Sequence, residues 1–229
     1  MNDLQSLQKD IITCRKCPRL VRWRESVART KTKRFADWEY WGKPNPSFGD
    51  TMAELLLVGL APAAHGGNRT GRMFTGDRSG DWLYRALHRA GFANQAASVS
   101  RDDGLKLSNC YITATCRCAP PQNKLLPSEI LNCRPYLMKE LQLLRNLKII
   151  VGLGKVGFDS AVRCARELGW VSFPQQPKFA HGAEYHLGER IILLASFHPS
   201  QQNTFTGRLT EAMLDKIFNR AGTLLRKHQ

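Results

Sequence analysis

A glycine-rich stretch at residues 59–77 carries residue types that could hold a flat group and help to cleave the bond that attaches it. Its sequence is Gly-Leu-Ala-Pro-Ala-Ala-His-Gly-Gly-Asn-Arg-Thr-Gly-Arg-Met-Phe-Thr-Gly-Asp. Glycines let a backbone approach a ligand closely, the Phe74 ring can stack on a flat group, and the Asp77 carboxylate can assist bond cleavage. The stretch lacks the Gly-Lys-Ser/Thr ending of a nucleoside-triphosphate loop, which excludes that class of site.

Cysteines in two groups have a spacing that is typical of a metal site. Cys14 and Cys17 form a Cys-x2-Cys pair, and Cys116, Cys118 and Cys133 form the second group. Intracellular chains use such cysteines for metal binding or reactivity more often than for disulfides. Four thiolates in two groups suit either an iron–sulfur cluster or a tetrahedral zinc ion.

The spacing leaves open whether Cys116 or Cys118 is the metal ligand. Both would face the same side of a strand that continued through them. We select Cys118, because the Ala-Pro-Pro that follows it would end the strand and free the backbone to turn toward a site. Cys110 and Cys164 lie in apolar patterns and are interpreted as core residues.

Two further polar loops follow apolar runs. Asn123 lies in the loop after the run at 111–115, and His198 follows the run at 191–197. Because the carboxyl ends of parallel strands meet at one edge of a sheet, we expect Asp77, Asn123 and His198 to converge there.

The elements that position these residues repeat as strand and then helix. We predict strands at 55–58, 111–115, 147–151 and 191–197, and helices at 81–91, 128–146, 155–168 and 210–227. This repeat predicts an α/β fold, specifically a three-layer α/β/α arrangement around a central, mostly parallel four-stranded sheet. We expect one domain over residues 1–229, with a basic N-terminal segment tethered by the metal site.

A Gly-x-Gly-x-x-Gly sequence at 152–157 resembles a dinucleotide-binding turn. Such a site also needs an acidic residue about 20 positions further on, and residues 171–178 contain none. The motif is also in the third strand–helix unit instead of the first. We therefore interpret it as a tight strand-to-helix turn and expect no nucleotide cofactor.

The charge of the chain favours a polyanionic partner. Its 229 residues carry 34 Lys and Arg against 19 Asp and Glu, a net charge of +15 with a pI near 9.9. Ten of the basic residues lie between Lys9 and Arg34, a segment that could follow a phosphate backbone. No apolar stretch approaches the roughly 20 residues of a membrane helix, and the N-terminus lacks the apolar region of a signal peptide. We expect a cytoplasmic, monomeric protein that binds nucleic acid and no membrane.

One alternative is a non-catalytic basic module that binds nucleic acid and holds a structural zinc ion. The feature against it is Asp77, because binding alone needs phosphate contacts and stacking but no placed carboxylate. A zinc-dependent deaminase is excluded, since it requires His-x-Glu with Pro-Cys-x-x-Cys and the chain has neither.

Three motifs together resemble family 5 (type b) uracil-DNA glycosylases. They are residues 59–77, the Arg-Cys-Ala-Pro-Pro-Gln-Asn sequence at 117–123, and His-Pro-Ser at 198–200. The resemblance covers about residues 10–225. It implies a monofunctional DNA repair enzyme that flips uracil, and other deaminated bases such as hypoxanthine, out of DNA and hydrolyses the N-glycosidic bond. It also implies a [4Fe–4S] cluster, whose ligands would be Cys14, Cys17, Cys118 and Cys133.

The chemistry of such a reaction suggests a role for each polar residue. Breaking the bond develops positive charge on the sugar and negative charge on the base. His198 would stabilise the anionic base, and Asp77 would hold the water or support the sugar cation. Phe74 would stack on the flipped base, and Asn123 would hydrogen-bond to the base or water.

The loop after the first strand would form the rest of the base-binding site. Backbone groups from Gly59 to Ala64 could approach the base edge. Leu60 and Ala61 stand where many relatives have a polar residue that can activate water, which leaves this role to Asp77. Ala63 replaces a bulky tyrosine of some relatives, and its small side chain predicts a broader range of bases.

Overall fold

The computed structural model describes residues 3–172 and 176–227, and within them six strands form one sheet. The strands are β1 (Phe48–Gly49), β2 (Leu55–Gly59), β3 (Cys110–Ala114), β4 (Ile149–Leu153), β5 (Glu184–Leu187) and β6 (Ile191–Ser196). The helices are α1 (Asp3–Ile12), α2 (Pro18–Thr30), α3 (Gly67–Thr70), α4 (Arg78–Arg89), α5 (Pro127–Leu143), α6 (Gly154–Glu167), α7 (Gln201–Phe205) and α8 (Glu211–Lys227). Single 3₁₀ turns lie at Lys33–Phe35 and Pro121–Asn123.

The sheet has the order β1-β3-β2-β4-β6-β5. Its four central strands are parallel, and β1 and β5 pair antiparallel at the two edges. The four predicted strands are therefore confirmed, but the predicted strand number of four is wrong. Sequence patterns miss β1 because it has two residues, and β5 because its Glu-Tyr-His-Leu sequence contains no apolar run.

Helices cover both faces of the sheet, which confirms the three-layer arrangement. Leu55 and Leu57 of β2 pack with apolar side chains of α4 and α8. Leu56 and Val58 point the other way and pack with α1, α5 and α6. Because every residue of β2 is buried, the strand is apolar throughout instead of alternating.

The basic N-terminal segment is helical, which the sequence patterns did not predict. Helix α1 buries Leu4, Leu7 and Ile11, spaced along one face of a helix. Pro18 stands at the start of α2, where its missing N–H costs no hydrogen bond.

The glycines at 152–157 are explained by close packing. A side chain on Gly157 would lie 2.1 Å from the Val58 carbonyl oxygen, and one on Gly152 would lie 2.6 Å from Phe158 Cα. Helix α6 begins at Gly154, whose φ of +81° favours glycine. These contacts support the interpretation as a tight strand-to-helix turn. Residues 173–175, part of the acid-free region considered above, lie outside the described residues.

The order of the strands creates a crevice between β2 and β4. The chain leaves β2 toward β3 through α4 on one face of the sheet, and leaves β4 toward β6 through α6 on the other face. Loops diverge where the winding reverses between neighbouring parallel strands, and ligands bind outside the carboxyl ends of such strands. The glycine-rich loop starts at this point.

Across residues 3–172 and 176–227, none of the helices has the length and apolar character needed to cross a membrane.

A buried ion pair holds the region behind β3. Arg117 donates to Glu140 of α5, whose side chain is fully buried. Glu140 also accepts from Thr113 at 2.6 Å, from Ser47 at 2.5 Å and from Gln8 at 3.2 Å. One carboxylate thereby joins α1, α5, β3 and the segment before β1.

We predict that Glu140→Ala lowers the free energy of unfolding by about 3–5 kcal/mol, because it leaves the Arg117 charge buried without its partner. Urea denaturation at pH 7 measures the change. Asp159→Ala removes the exposed Lys155–Asp159 pair of α6 and is the matched control, with an expected loss of about 0.5 kcal/mol or less. Equal losses for the two variants would contradict the prediction.

Candidate active site

Asp77 lies at the crevice and caps helix α4. Its Oδ1 accepts a hydrogen bond of 3.1 Å from the Gly80 amide. Burial raises the pKa of Asp77 to about 6, although the Gly80 and Ser79 amides and Arg69 favour the ionised form. A carboxylate with this pKa changes charge close to neutral pH, as a catalytic group requires.

The Asp77 carboxylate packs directly against the glycine-rich loop. A side chain on Gly66 would lie 2.0 Å from Asp77 Oδ2. Only glycine at this position leaves room for the carboxylate, so the loop and the acid are built to fit each other.

Phe74 has a strained backbone at the centre of the site. Its φ is +52°, in the left-handed region that bulky residues avoid. The ring fills the space beside Gly59, where a side chain would lie 2.9 Å from Phe74 Cζ. Strain of this kind persists when the surrounding structure enforces it, and it is concentrated at functional sites.

His198 follows β6 and reaches the same place. Its ring centroid lies 5.7 Å from that of Phe74, at an interplanar angle of 32°. Its Cβ lies near Gly154, at the start of α6. Burial lowers the pKa of His198 to about 4, so the imidazole is neutral at pH 7.

Asn123 is the predicted site residue that the structure does not bring into contact with the others. It lies on an exposed loop with a φ of +57°, and its side chain has no hydrogen-bond partner among the described residues. The structure does not show the expected convergence for Asn123, which lies on a neighbouring loop at the same edge of the sheet, and the ring that contacts His198 is that of Phe74.

Two backbone carbonyl groups of the predicted base-binding segment already accept hydrogen bonds within the protein. The Gly59 carbonyl oxygen already accepts from the Thr115 amide and hydroxyl, at 2.9 and 3.1 Å. The Ala63 carbonyl oxygen accepts from the amides of Gly66 and Asn68. Ala61 and Ala63 are partly exposed at the crevice, so their small side chains leave it open.

Residues that sequence reasoning missed support the loop from outside. The Arg69 guanidinium lies 4.0 Å from the ring centroids of both Phe35 and Trp38. It also donates to the carbonyl oxygens of His65 and Gly76, at 2.8 and 3.0 Å. The only available signal was the aromatic and basic composition of residues 31–43, which does not reveal this contact.

An exposed aromatic side chain stands beside the site. Phe205, at the end of α7, is 67% exposed, and its ring centroid lies 4.3 Å from the Arg78 guanidinium carbon. Arg78 directly follows Asp77. Exposure depends on the surrounding fold, so the sequence alone gave no reason to select Phe205.

The five cysteines considered as ligands line one cavity. Its volume is about 360 Å³, part of it open to solvent, and its lining includes Cys14, Cys17, Cys116, Cys118 and Cys133. Strand β3 ends at Ala114, close to the predicted end at residue 115, and does not continue through residues 116 and 118. Both cysteines nevertheless face the cavity, from the loop after the strand.

The surroundings of the thiols differ. Cys118 Sγ accepts from Arg24 at 2.8 Å, and Cys17 Sγ accepts from Asn132 at 3.6 Å. A hydrogen bond from Cys116 and the charge of Arg117 lower the pKa of Cys133. Soft thiols around a cavity, with nearby cations, fit the donor set of an iron–sulfur cluster. No three Cys, His, Asp or Glu side chains of the described chain converge on a position for a single metal ion.

Two basic residues of the N-terminal segment that could contact a polyanion are paired with acids. Arg15 pairs with Glu25 at 2.5 Å and Arg19 with Glu129 at 2.7 Å. Arg22 is exposed. The structure therefore favours Arg22 over Arg15 and Arg19 for contact with a polyanion.

The chain matches known proteins along most of its length. The model of the uracil DNA glycosylase superfamily matches residues 46–222. The type-5 uracil-DNA glycosylase of Mycobacterium tuberculosis is 53% identical over 215 residues, which is 93% of this chain and 79% of that relative. The type-5 enzyme of Mycobacterium leprae is 50% identical, with 96% and 95% covered. That of Thermus thermophilus is 45% identical, with 97% and 98% covered.

We predict that Asp77→Asn stabilises the protein above pH 6. The pKa of Asp77 rises from 3.8 to about 6 on folding, so its contribution to stability is full below pH 3.8 and is lost as the pH rises through 6. The difference between variant and wild type should grow to about 3 kcal/mol, since each pH unit contributes roughly 1.4 kcal/mol. Urea denaturation between pH 4.5 and 8 measures it. A difference that stays constant with pH would refute this.

Proposed function

This chain belongs to the uracil DNA glycosylase superfamily, and we propose that it excises uracil from DNA by hydrolysing the N-glycosidic bond. The observation that carries the proposal is the placement of Asp77, Phe74 and His198 around the crevice between β2 and β4. A carboxylate, an aromatic ring and a neutral imidazole are the groups that this reaction uses.

The base must first leave the helical stack, because the duplex hides the sugar carbon that is attacked. We propose that Phe74 then stacks on the base. Phe205, exposed beside Arg78, is suited to enter the stack where the base has left. The exposed Arg22 would contact the DNA backbone.

Two side chains would divide the charge that develops during cleavage. The bond between C1′ and the base nitrogen breaks, and the electron pair leaves with the base. The oxygen of water adds to C1′, and the proton that this water loses ends, through Asp77 or solvent, on the released base. Asp77, ionised above pH 6, would hold this water or stabilise the sugar cation. His198, neutral at pH 7, would donate a hydrogen bond to the anionic base.

The base-binding residues suggest a range of substrates wider than uracil. Ala61 and Ala63 present small side chains at the crevice, so a larger base such as hypoxanthine would fit. Gly59 would contribute through its close contact with Phe74, and Asn123 through its free side-chain amide. We also propose that the enzyme acts as a cytoplasmic monomer without a nucleotide cofactor.

We propose that Cys14, Cys17, Cys118 and Cys133 hold a [4Fe–4S] cluster with a structural role. All four cysteines line one cavity. Four thiolates suit a cluster that takes one thiolate for each iron. The cluster would tether the N-terminal helices to β3 and α5.

We predict that the enzyme releases uracil from a uracil-containing duplex in single-turnover assays, detected by cleavage of the abasic product. The rate should rise with pH to a plateau above about pH 6, because Asp77 acts as a carboxylate. Asp77→Asn should reduce the rate by about 10²–10⁴-fold.

His198→Ala is the matched control for the pH profile. Its rate should fall by about 10²–10³-fold, with the same midpoint, because His198 does not change charge near pH 6. Wild-type rates for Asp77→Asn would end the assignment of this residue, and absence of uracil release by the wild type would end the proposed function.

We predict that anaerobically purified protein contains iron and sulfide and is brown. Cys118→Ser should lose the colour, whereas Cys116→Ser should keep it. Iron analysis and visible absorption measure both. Colourless protein with bound zinc would contradict the cluster. Loss of iron only in Cys116→Ser would mean that Cys116, and not Cys118, is the ligand.

A further inference from the structure

Arg24 of α2 is buried between the cysteine cavity and the glycine-rich loop. Its side chain is 2% exposed. One terminal nitrogen donates to Cys118 Sγ at 2.8 Å, and the other donates to the Cys14 carbonyl oxygen at 3.2 Å. Arg24 therefore contacts a cysteine from each of the two groups.

The backbone of the same residue reaches the glycine-rich loop. The Arg24 carbonyl oxygen accepts a hydrogen bond of 3.1 Å from the side-chain amide of Asn68 in α3. Asn68 is fully buried, and its main-chain carbonyl oxygen accepts from the Gly42 amide at 3.0 Å. Helix α3 lies between the start of the loop and the residues Phe74 and Asp77.

A second connection runs parallel to the first. The Asn45 amide donates to the Arg117 carbonyl oxygen at 2.7 Å, and its side chain donates to the Gly67 carbonyl oxygen at 3.0 Å. The loop that carries Cys116 and Cys118 is thus joined to α3 at two places. Both connections consist of buried hydrogen bonds.

We propose that Arg24 is a positioning residue through which the metal site fixes the glycine-rich loop of the active site. The proposal rests on the cluster proposed above. Arg24 would neutralise part of the charge of the Cys118 thiolate and hold α2 in place. Asn68 would transmit that position to α3, and so to Phe74 and Asp77.

The charge balance around Arg24 explains why the proposed metal site and the glycine-rich loop should be coupled. A buried guanidinium needs an anionic partner, and the nearest carboxylate, Glu25, lies 4.0 Å away and already pairs with Arg15. The Nε atom of Arg24 has no hydrogen-bond partner among residues 3–172 and 176–227. A metal-bound thiolate at Cys118 supplies the missing negative charge, so loss of the cluster removes the main partner of Arg24 and loosens α2.

Two variants of the full-length protein test separately the contact of Arg24 with the cysteines and its contact with the glycine-rich loop. Arg24→Met removes the hydrogen bonds to the cysteines, and Asn68→Ala removes the bond to the loop while leaving the thiolate contact in place. Arg29→Met, on the exposed side of α2, is the control for loss of positive charge.

Three measurements apply to each variant. They are the rate at which an iron chelator bleaches the visible absorption, hydrogen exchange of peptides covering residues 66–76, and single-turnover excision. Arg24→Met should lose iron about 10–100-fold faster, exchange faster in this loop and excise more slowly. Asn68→Ala should speed hydrogen exchange in this loop and slow excision. Its rate of iron loss should stay close to that of the wild type. Arg29→Met should leave iron loss and loop exchange unchanged.

The conservative variant Arg24→Lys keeps the charge and should restore part of the iron retention and of the loop protection, which tests the proposal if Arg24→Met does not fold. Faster iron loss without any change in the loop would overturn the coupling, as would wild-type behaviour of Asn68→Ala. Iron-free wild-type protein would contradict the proposed cluster instead. In that case, unchanged loop exchange in both Arg24→Met and Asn68→Ala would overturn the connection between Arg24 and the loop as well.

Discussion

The Arg117 guanidinium and the Glu140 carboxylate form an ion pair that is completely enclosed by the fold. Burying two charges is costly unless additional hydrogen bonds support the pair. Among the described residues Arg117 Nε has no hydrogen-bond partner, and the support comes at Glu140 and at the terminal nitrogens of Arg117. Thr113, Ser47 and Gln8 supply those hydrogen bonds from three separate parts of the chain. Because Arg117 lies between Cys116 and Cys118, the same network fixes the cysteine loop. The N-terminal helices, the sheet and the proposed metal site are therefore positioned together.

The proposed active site contains two ionisable groups whose surroundings bring them close to the charge states that the proposed reaction needs. Burial raises the pKa of Asp77 to about 6 and lowers that of His198 to about 4. At pH 7 the first is mainly a carboxylate and the second a neutral donor. The desolvation that produces both shifts also strengthens their interactions with charge that develops in the transition state.

Left-handed backbone occurs near the proposed site as well as at Lys31 and Asn109. Phe74 and Asn123 both have a positive φ, and each follows one of two adjacent parallel strands. Left-handed backbone of this kind costs of order 1–3 kcal/mol and is retained where surrounding packing requires it. For Phe74 that packing is visible in the contacts with Gly59 and His198.

The sequence by itself determined the central architecture, because strands buried on both faces must be apolar throughout and the four runs are unbroken. It also predicted that the glycine-rich loop and His198 lie at one edge of the sheet, since the ends of parallel strands share that edge. The edge strands β1 and β5 and the helices α1 and α2 were decided by tertiary contacts that local patterns do not encode. The same holds for the charge partners of Arg15, Arg19 and Arg24. Arg15 and Arg19 pair with Glu25 and Glu129, which lie 10 and 110 positions further along the chain, and Arg24 contacts Cys118, 94 positions further on. Only the folded chain determines which of these groups are brought together.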